Sequence, residues 1–323
     1  MGETWGKSGQ VKVIVNPSKC KEIEKIIQKI KLKSDPIKKL NEAEKEKKAF
    51  HIFVVTAICH QINWDFILST LEKIQENQPD KFNPEHLSKI SNEELNSWLA
   101  DYDKPWRIEI EQRAELLRDC AKNLMRFYDG KVMNLIAKSN GFLKGKNGLY
   151  NLLSKFKAYR EDPLQKKSSV LIKFLYKWGL IEIKDPDNYI FPIDYHIARL
   201  NLRNGRILIQ DGELRNKLIN QVPVKLEEDI AIRSAVIEAY KIVYGNVDIS
   251  RVLGDFDWTV GRDCCNRDNP VCEGNSCQRN RCTPSEWFEF TCKGKCPYEE
   301  VCKGSHNPEF IKLKEQKFIS TLY

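Results

Sequence analysis

The apolar positions of this chain recur mostly with the period of a helix. From Ile110 they fall at Ala114, Leu117, Ala121, Leu124 and Tyr128, one stripe of a long amphipathic helix that Asp129-Gly130 stops. The same spacing predicts helices over 149–156, 168–178, 195–202 and 227–244, separated by Gly179, Asp185-Pro186 and Gly205. Ala49–Leu71 is a denser apolar helical run with a turn at Asn63, and a short helix is expected near Asn92–Ala100. Lys21–Lys48 reads as charged helix broken near Asp35-Pro36. Strand-like patterns are few: Val11–Val15 and the stretch around Arg206–Gln210. With no fixed-period repeat, the expected class is all-α with marginal strands.

Composition narrows the class further. A chain of 323 residues, 41% apolar and 30% charged, can bury a core for one large or two ordinary domains, which excludes wholesale disorder. The net charge of +8 is concentrated at the start, where residues 1–50 carry thirteen Lys against seven acids. That stretch is either a phosphate-seeking extension or a solvated helix face. No apolar run approaches a membrane span and Met1–Trp5 begins no export signal, so a soluble, cytoplasmic protein and a monomer are expected. Eight of the eleven Cys crowd into Cys264–Cys302, a density that in a cytosolic chain points to a metal or iron–sulfur site. Three segments result: a basic extension over 1–48, a helical core over 49–258 and a Cys-rich tail over 259–323.

One carboxylate has a physical claim to chemistry. Asp194 follows Pro192 and precedes the periodic run from Tyr195, so it should cap that helix, where backbone N–H groups favour its ionised form. A carboxylate fixed there can stabilise positive charge on a sugar C1′ as a glycosidic bond loosens.

Several patches, spread over about 50–302, resemble the helix-hairpin-helix DNA glycosylase superfamily, most closely its iron–sulfur branch typified by endonuclease III. Phe191-Pro-Ile-Asp-Tyr-His-Ile-Ala-Arg199 is similar to the family's Val-Asp-Thr-His-Val-x-Arg signature, which implies that Asp194 is catalytic. Phe50–Asp65 is similar to an early family helix, with Gln61 in place of the glutamine that probes the gap left by an extruded base. Trp64 and Tyr195, with Tyr159, Tyr189 and Phe191, are candidates to stack on that base. The hairpin should lie in about 156–169. Here the usual glycine turn that grips a phosphate is replaced by Ala158-Tyr-Arg-Glu-Asp-Pro-Leu-Gln165, which has no glycine. Lys166-Lys167-Ser168-Ser169 then opens a helix, as the family's Lys-Thr-Ala does with its Schiff-base lysine. Pro163-Leu-Gln-Lys166 resembles the turn of archaeal 8-oxoguanine glycosylases, so Lys166 and Lys167 compete for the nucleophile's part.

The tail also carries a resemblance. Trp258–Cys265 is similar to the last helix of the iron–sulfur glycosylases, whose ligand run is Cys-x6-Cys-x2-Cys-x5-Cys. Cys265-x6-Cys272 and Cys296-x5-Cys302 match its outer intervals, while the middle is expanded to twenty-three residues. The resemblance implies a [4Fe–4S] cluster on Cys265, Cys272, Cys296 and Cys302, with a competing quartet of Cys282, Cys292, Cys296 and Cys302. Four Cys remain in either case, for a second, zinc site or for disulfides. Taken together these patches imply an all-α, two-lobed helix-hairpin-helix fold. The implied protein is a DNA-repair N-glycosylase acting on double-stranded DNA, with the lyase step left open. Two alternatives stand beside it. One is an N-glycosylase for a free modified nucleotide or nucleoside, motivated by the glycine-free hairpin. The other is a non-catalytic iron–sulfur nucleic-acid-binding protein.

Overall fold

The computed structural model describes residues 12–33, 40–245, 256–274, 277 and 282–318. The expected break at Asp35-Pro36 and the basic residues Arg279 and Arg281 lie outside them. The chain divides into two compact units, Met1–Ser34 with Ile193–Ile319, and Asp35–Pro192 with Ser320–Tyr323. In chain order, β1 (Val13–Val15) and α1 (Pro17–Ile27) precede α2 (Glu42–Ile58), α3 (Trp64–Asn77), α4 (Pro84–Leu87) and α5 (Asn92–Trp98). Next come α6 (Ile110–Tyr128), α7 (Val132–Ser139), α8 (Leu149–Leu153), α9 (Lys157–Arg160) and α10 (Lys166–Lys177). The chain continues through α11 (Tyr195–Asn204), β2 (Ile207–Ile209), α12 (Gly212–Asn220), α13 (Leu226–Tyr244) and α14 (Phe256–Asp263). The protein is therefore mostly helical, as its apolar periodicity predicts. Among the described residues no helix is long and apolar enough to cross a membrane.

In the 35–192 unit, α2 is the central rod. All ten residues from Ala49 to Ile58 are buried, because α3, α6, α7 and α10 pack around it. The predicted Ala49–Leu71 helix is in fact two. Asn63, in extended backbone, accepts from the Phe66 N–H at 3.1 Å and starts α3, while Gln61 takes a left-handed φ of 53° between the two helices. This is N-cap chemistry overriding apolar content. Between α9 and α10 the glycine-free turn is built by a side chain. Asp162, almost fully buried, accepts from Leu164 N–H at 3.0 Å and Lys166 N–H at 2.6 Å, and Gln165 supplies the left-handed residue with φ 52°. A carboxylate thus satisfies the orphan N–H groups at the start of α10.

In the other unit, β1 and β2 pair antiparallel with Val13 opposite Ile209 and Val15 opposite Ile207. Amphipathic α1 buries Cys20, Ile23 and Ile27 and packs on α13. Helix α11 ends at Gly205, whose φ of 81° turns the chain into the buried Arg206. Arg206 Nη1 donates to Asp257 Oδ2 at 2.6 Å and Tyr298 OH to Asp257 Oδ1 at 2.5 Å. Burial alone would raise the Asp257 pKa, but Arg206 holds it below the usual carboxylate range. This pair ties α14 to the end of α11. Breaking such a pair by removing one partner costs about 3–5 kcal/mol.

Candidate functional site

The residues singled out by sequence fall into two groups, one in each unit, and each is described within its own unit. The group of the 193–319 part is centred on Asp194. It is the N-cap of α11 as expected, with extended backbone (ψ −179°), and its Oδ1 accepts from the Ile197 N–H at 2.9 Å. Its Oδ2 accepts from the Trp258 indole Nε1–H at 2.8 Å. Trp258 follows Asp257 directly, so the ion pair that fixes α14 also sets the indole. The indole stacks on Trp287 (centroids 5.7 Å, 15° between planes), and the Arg262 guanidinium lies 5.0 Å above it. α14 comes this close to α11 because position 261 is glycine: a Cβ there would stand 2.7 Å from the His196 carbonyl oxygen. Asp194 itself is half-buried and Tyr195 is 53% exposed, so the carboxylate lies beside an accessible aromatic ring.

Behind this face lies a row of fixed charges. Arg199 donates to the Cys265 carbonyl at 2.7 Å, the Gly261 carbonyl at 2.9 Å and Glu315 Oε2 at 2.8 Å, and reaches His196 Nδ1 at 3.0 Å. Arg267 binds the other oxygen of Glu315. Burial, opposed by Asp194, lowers the His196 pKa to about 4, so the imidazole beside Asp194 is neutral at pH 7.

The second group sits at the C-terminal end of α2. Lys167 is 2% exposed and its Nζ donates to the Ala57 carbonyl at 3.1 Å, with His60 Nδ1 at 3.4 Å. Burial is the main cause of a lowered pKa, to about 8. Cys59 and Cys120 oppose the shift, and Lys166 and Arg113 reinforce it. Lys166 is half-buried, and its backbone N–H is occupied by Asp162, so the adjacent lysines have different surroundings. Arg113, fully buried, donates to the Ile58 and His60 carbonyls, and the His60 Nε2 atom has no partner among the described residues. Gln61 is half-buried on the same turn. Trp64 is stacked on Phe174 (5.2 Å, 20°), while Tyr159 and Tyr189 are core residues whose hydroxyls meet the Phe53 and Ser169 carbonyls. Sequence reasoning missed Trp258 as the partner of Asp194, as well as Asp162, Arg113, His60 and His196. None of them carries a local pattern, since each acts through a contact that folding creates.

In the tail, Cys265, Cys296 and Cys302 are buried, Cys272 and Cys282 half-buried and Cys292 exposed, all as free thiols. Burial pushes the Cys272 thiol up to about 12, and Cys265 and Cys302 nearby push the same way. Among the described residues no three His, Cys, Asp or Glu side chains stand close enough together to hold a metal ion.

No curated protein matches the chain. A family model, queuosine salvage protein, matches residues 40–251, well over half of the sequence and including Gln61, Lys167 and Asp194. This match overturns the resemblance to helix-hairpin-helix glycosylases, to endonuclease III and to the archaeal 8-oxoguanine enzymes. The readings that depended on that resemblance, namely DNA repair, DNA binding and an iron–sulfur protein, are corrected with it. The physical reason is visible in the hairpin region. The glycines that would present backbone N–H groups to a phosphate are replaced by Asp162, whose carboxylate occupies those N–H groups itself. The chain belongs to the queuosine salvage protein family.

Proposed function

We propose that this protein hydrolyses the N-glycosidic bond of a free modified nucleoside or nucleotide and releases the base for reuse, with Asp194 as the charged group beside the reacting sugar. Salvage of a base from a nucleoside requires that bond to be cut. The base leaves with the bonding electron pair, C1′ becomes electron-poor, water adds there, and its proton ends on the base. The observation that carries the reading is the double anchoring of Asp194. With one oxygen on the Ile197 N–H and the other on the Trp258 indole, the carboxylate is held as an anion in one orientation. A preorganised charge of this kind is worth most where charge develops only in the transition state.

Lys167 supports a second, covalent reading, in which its amine attacks C1′ in place of water. Its lowered pKa gives it a neutral fraction at pH 7, which a nucleophilic amine needs. The test of both readings is base release from queuosine and from its nucleotide form, followed by liquid chromatography. Asp194→Asn keeps a good helix cap, so its unfolding midpoint stays near wild type while single-turnover release falls by a factor on the order of 10² or more. Wild-type rates in that variant, or no release from either substrate, overturn the proposal. A borohydride-trapped sugar adduct that disappears in Lys167→Gln selects the covalent reading, and turnover without an adduct selects water.

A further inference from the structure

The Cys264–Cys302 segment lies beyond the matched residues 40–251, so the family assignment leaves it unexplained. It is also poorly supplied with ordinary means of holding a shape. Among its described residues it contains only the last turn after α14, one three-residue 3-10 turn (Val271–Glu273) and one five-residue helix (Thr283–Trp287). Yet five of its eight cysteines are removed from solvent to a large degree. Cys264, Cys265, Cys296 and Cys302 are at most 9% exposed, and Cys282 is half-buried with its sulfur accepting from Ser285 Oγ at 3.2 Å.

The eight thiols sort into two neighbourhoods. Cys265, Cys272, Cys296 and Cys302 lie within electrostatic reach of one another. Two of them meet the same residue: Cys265 Sγ is 3.7 Å from Arg203 Nη1, and the Cys302 thiol is 3.7 Å from the Arg203 carbonyl. The guanidinium of Arg203 is pinned by the Leu313, Asn266 and Arg267 carbonyls, so its positive charge is fixed beside the first sulfur. The remaining four form the second neighbourhood: Cys264 has Cys277, Cys282 and Cys292 around it. Asp263, next to Cys264, accepts from the Thr283 N–H at 2.9 Å and brings the Cys282 turn to that point. The two sets abut where Cys296 also comes near Cys264. Together they use every cysteine of the segment.

We infer that the tail is a zinc-stapled element with two four-thiolate sites, one on Cys265, Cys272, Cys296 and Cys302 and the other on Cys264, Cys277, Cys282 and Cys292. Four cysteines per site is the composition of a closed structural zinc centre, and such a centre supplies folding energy to a segment with little core of its own. The thiols stand as neighbours and not at ligand distance, so occupancy draws them inward. Most of them lie on turns, where χ1 rotation and small backbone shifts allow that closure. The role is structural: each site has four protein ligands and no open position for substrate.

The test is metal content of the full chain purified without chelator. The expected result is two zinc ions per chain, of which Cys265→Ser/Cys302→Ser loses one and Cys277→Ser/Cys282→Ser the other. Should these variants fail to fold, titration of wild-type thiols with an organomercurial, with a zinc-sensitive dye present, reads the same point. Zinc then leaves in two steps as eight thiols are blocked. Protein that is free of zinc and takes up no Co2+ after reduction overturns the inference. So do disulfides among these eight cysteines, the broad visible absorption of an iron–sulfur cluster, or a zinc content unchanged in both double variants.

Discussion

Asp194 and Lys167 illustrate two ways in which burial and hydrogen bonding prepare an ionisable side chain. Asp194 is held by donors, and one of them can be removed with little change of shape. Trp258→Phe deletes the indole N–H while keeping an aromatic ring against Trp287. A hydrogen bond to a charged group contributes about 1.5–3 kcal/mol, so base release should slow roughly ten- to a hundred-fold, mostly in kcat. An unchanged kcat in steady-state assays would remove the indole from the mechanism. Lys167 is prepared by desolvation, and its consequence is a stability that depends on pH. Its pKa is about 8 in the folded chain, against 10.4 for an unperturbed lysine, so between these values the unfolded chain binds more protons. The folded state therefore carries a penalty that is complete below pH 8 and is relieved as pH rises towards 10.4. Lys167→Met should exceed wild type in stability at pH 7 by at most ~3 kcal/mol, and the difference should shrink above pH 8. Urea unfolding of both proteins across that range measures it, and a constant difference would contradict it.

The elements differ in how much of them the sequence reveals. Helix α6 is readable from its apolar stripe and its Asp129-Gly130 stop, and α11 from the cap at Asp194 and Gly205 at its end. The strand pattern at Val11–Val15 and that near Arg206–Gln210 are both recognisable alone, and they turn out to be each other's partners. Helix α2 is harder, because a rod buried on all sides has no polar face to set its period, so its true end is marked only by the Asn63 cap of its neighbour. The α11–α14 contact is not legible at all. It depends on a missing Cβ at Gly261 and on an ion pair between Arg206 and Asp257, residues fifty-one positions apart. For the same reason Asp194 could be chosen as a site residue while Trp258 could not be assigned to it. That contact is testable through Gly261→Ala. The added methyl would meet the His196 carbonyl oxygen, force α14 away and draw the indole off the carboxylate. The expected cost is about 1–3 kcal/mol of stability, with a fall in base release similar to that of Trp258→Phe. Unaltered thermal unfolding together with full activity would show that the helices have room to spare.

At the scale of the whole molecule, net charge and partner are separate matters. The excess of +8 suits a nucleic-acid binder, but the family assignment places the chain in salvage, and much of the early lysine content belongs to folded elements. Lys19, for example, donates to the Val301 carbonyl at 2.7 Å. Duplex DNA should therefore be bound weakly, and no base should be released from it. Tight retention in a filter assay with a steep dependence on log[salt], together with base release from the duplex, would reverse that conclusion. The pairing of β1 with β2 and the packing of α1 on α13 also have a consequence for how the protein is made. The unit that carries Asp194 is assembled from the first part of the chain to leave the ribosome and from the last. Residues 35–192 emerge as a continuous block and can fold at once, whereas β1 and α1 must wait for about 170 residues of further synthesis before their partners exist. During that wait the apolar side of α1 is uncovered, and its dense lysine content keeps the nascent segment soluble until the partner strand arrives.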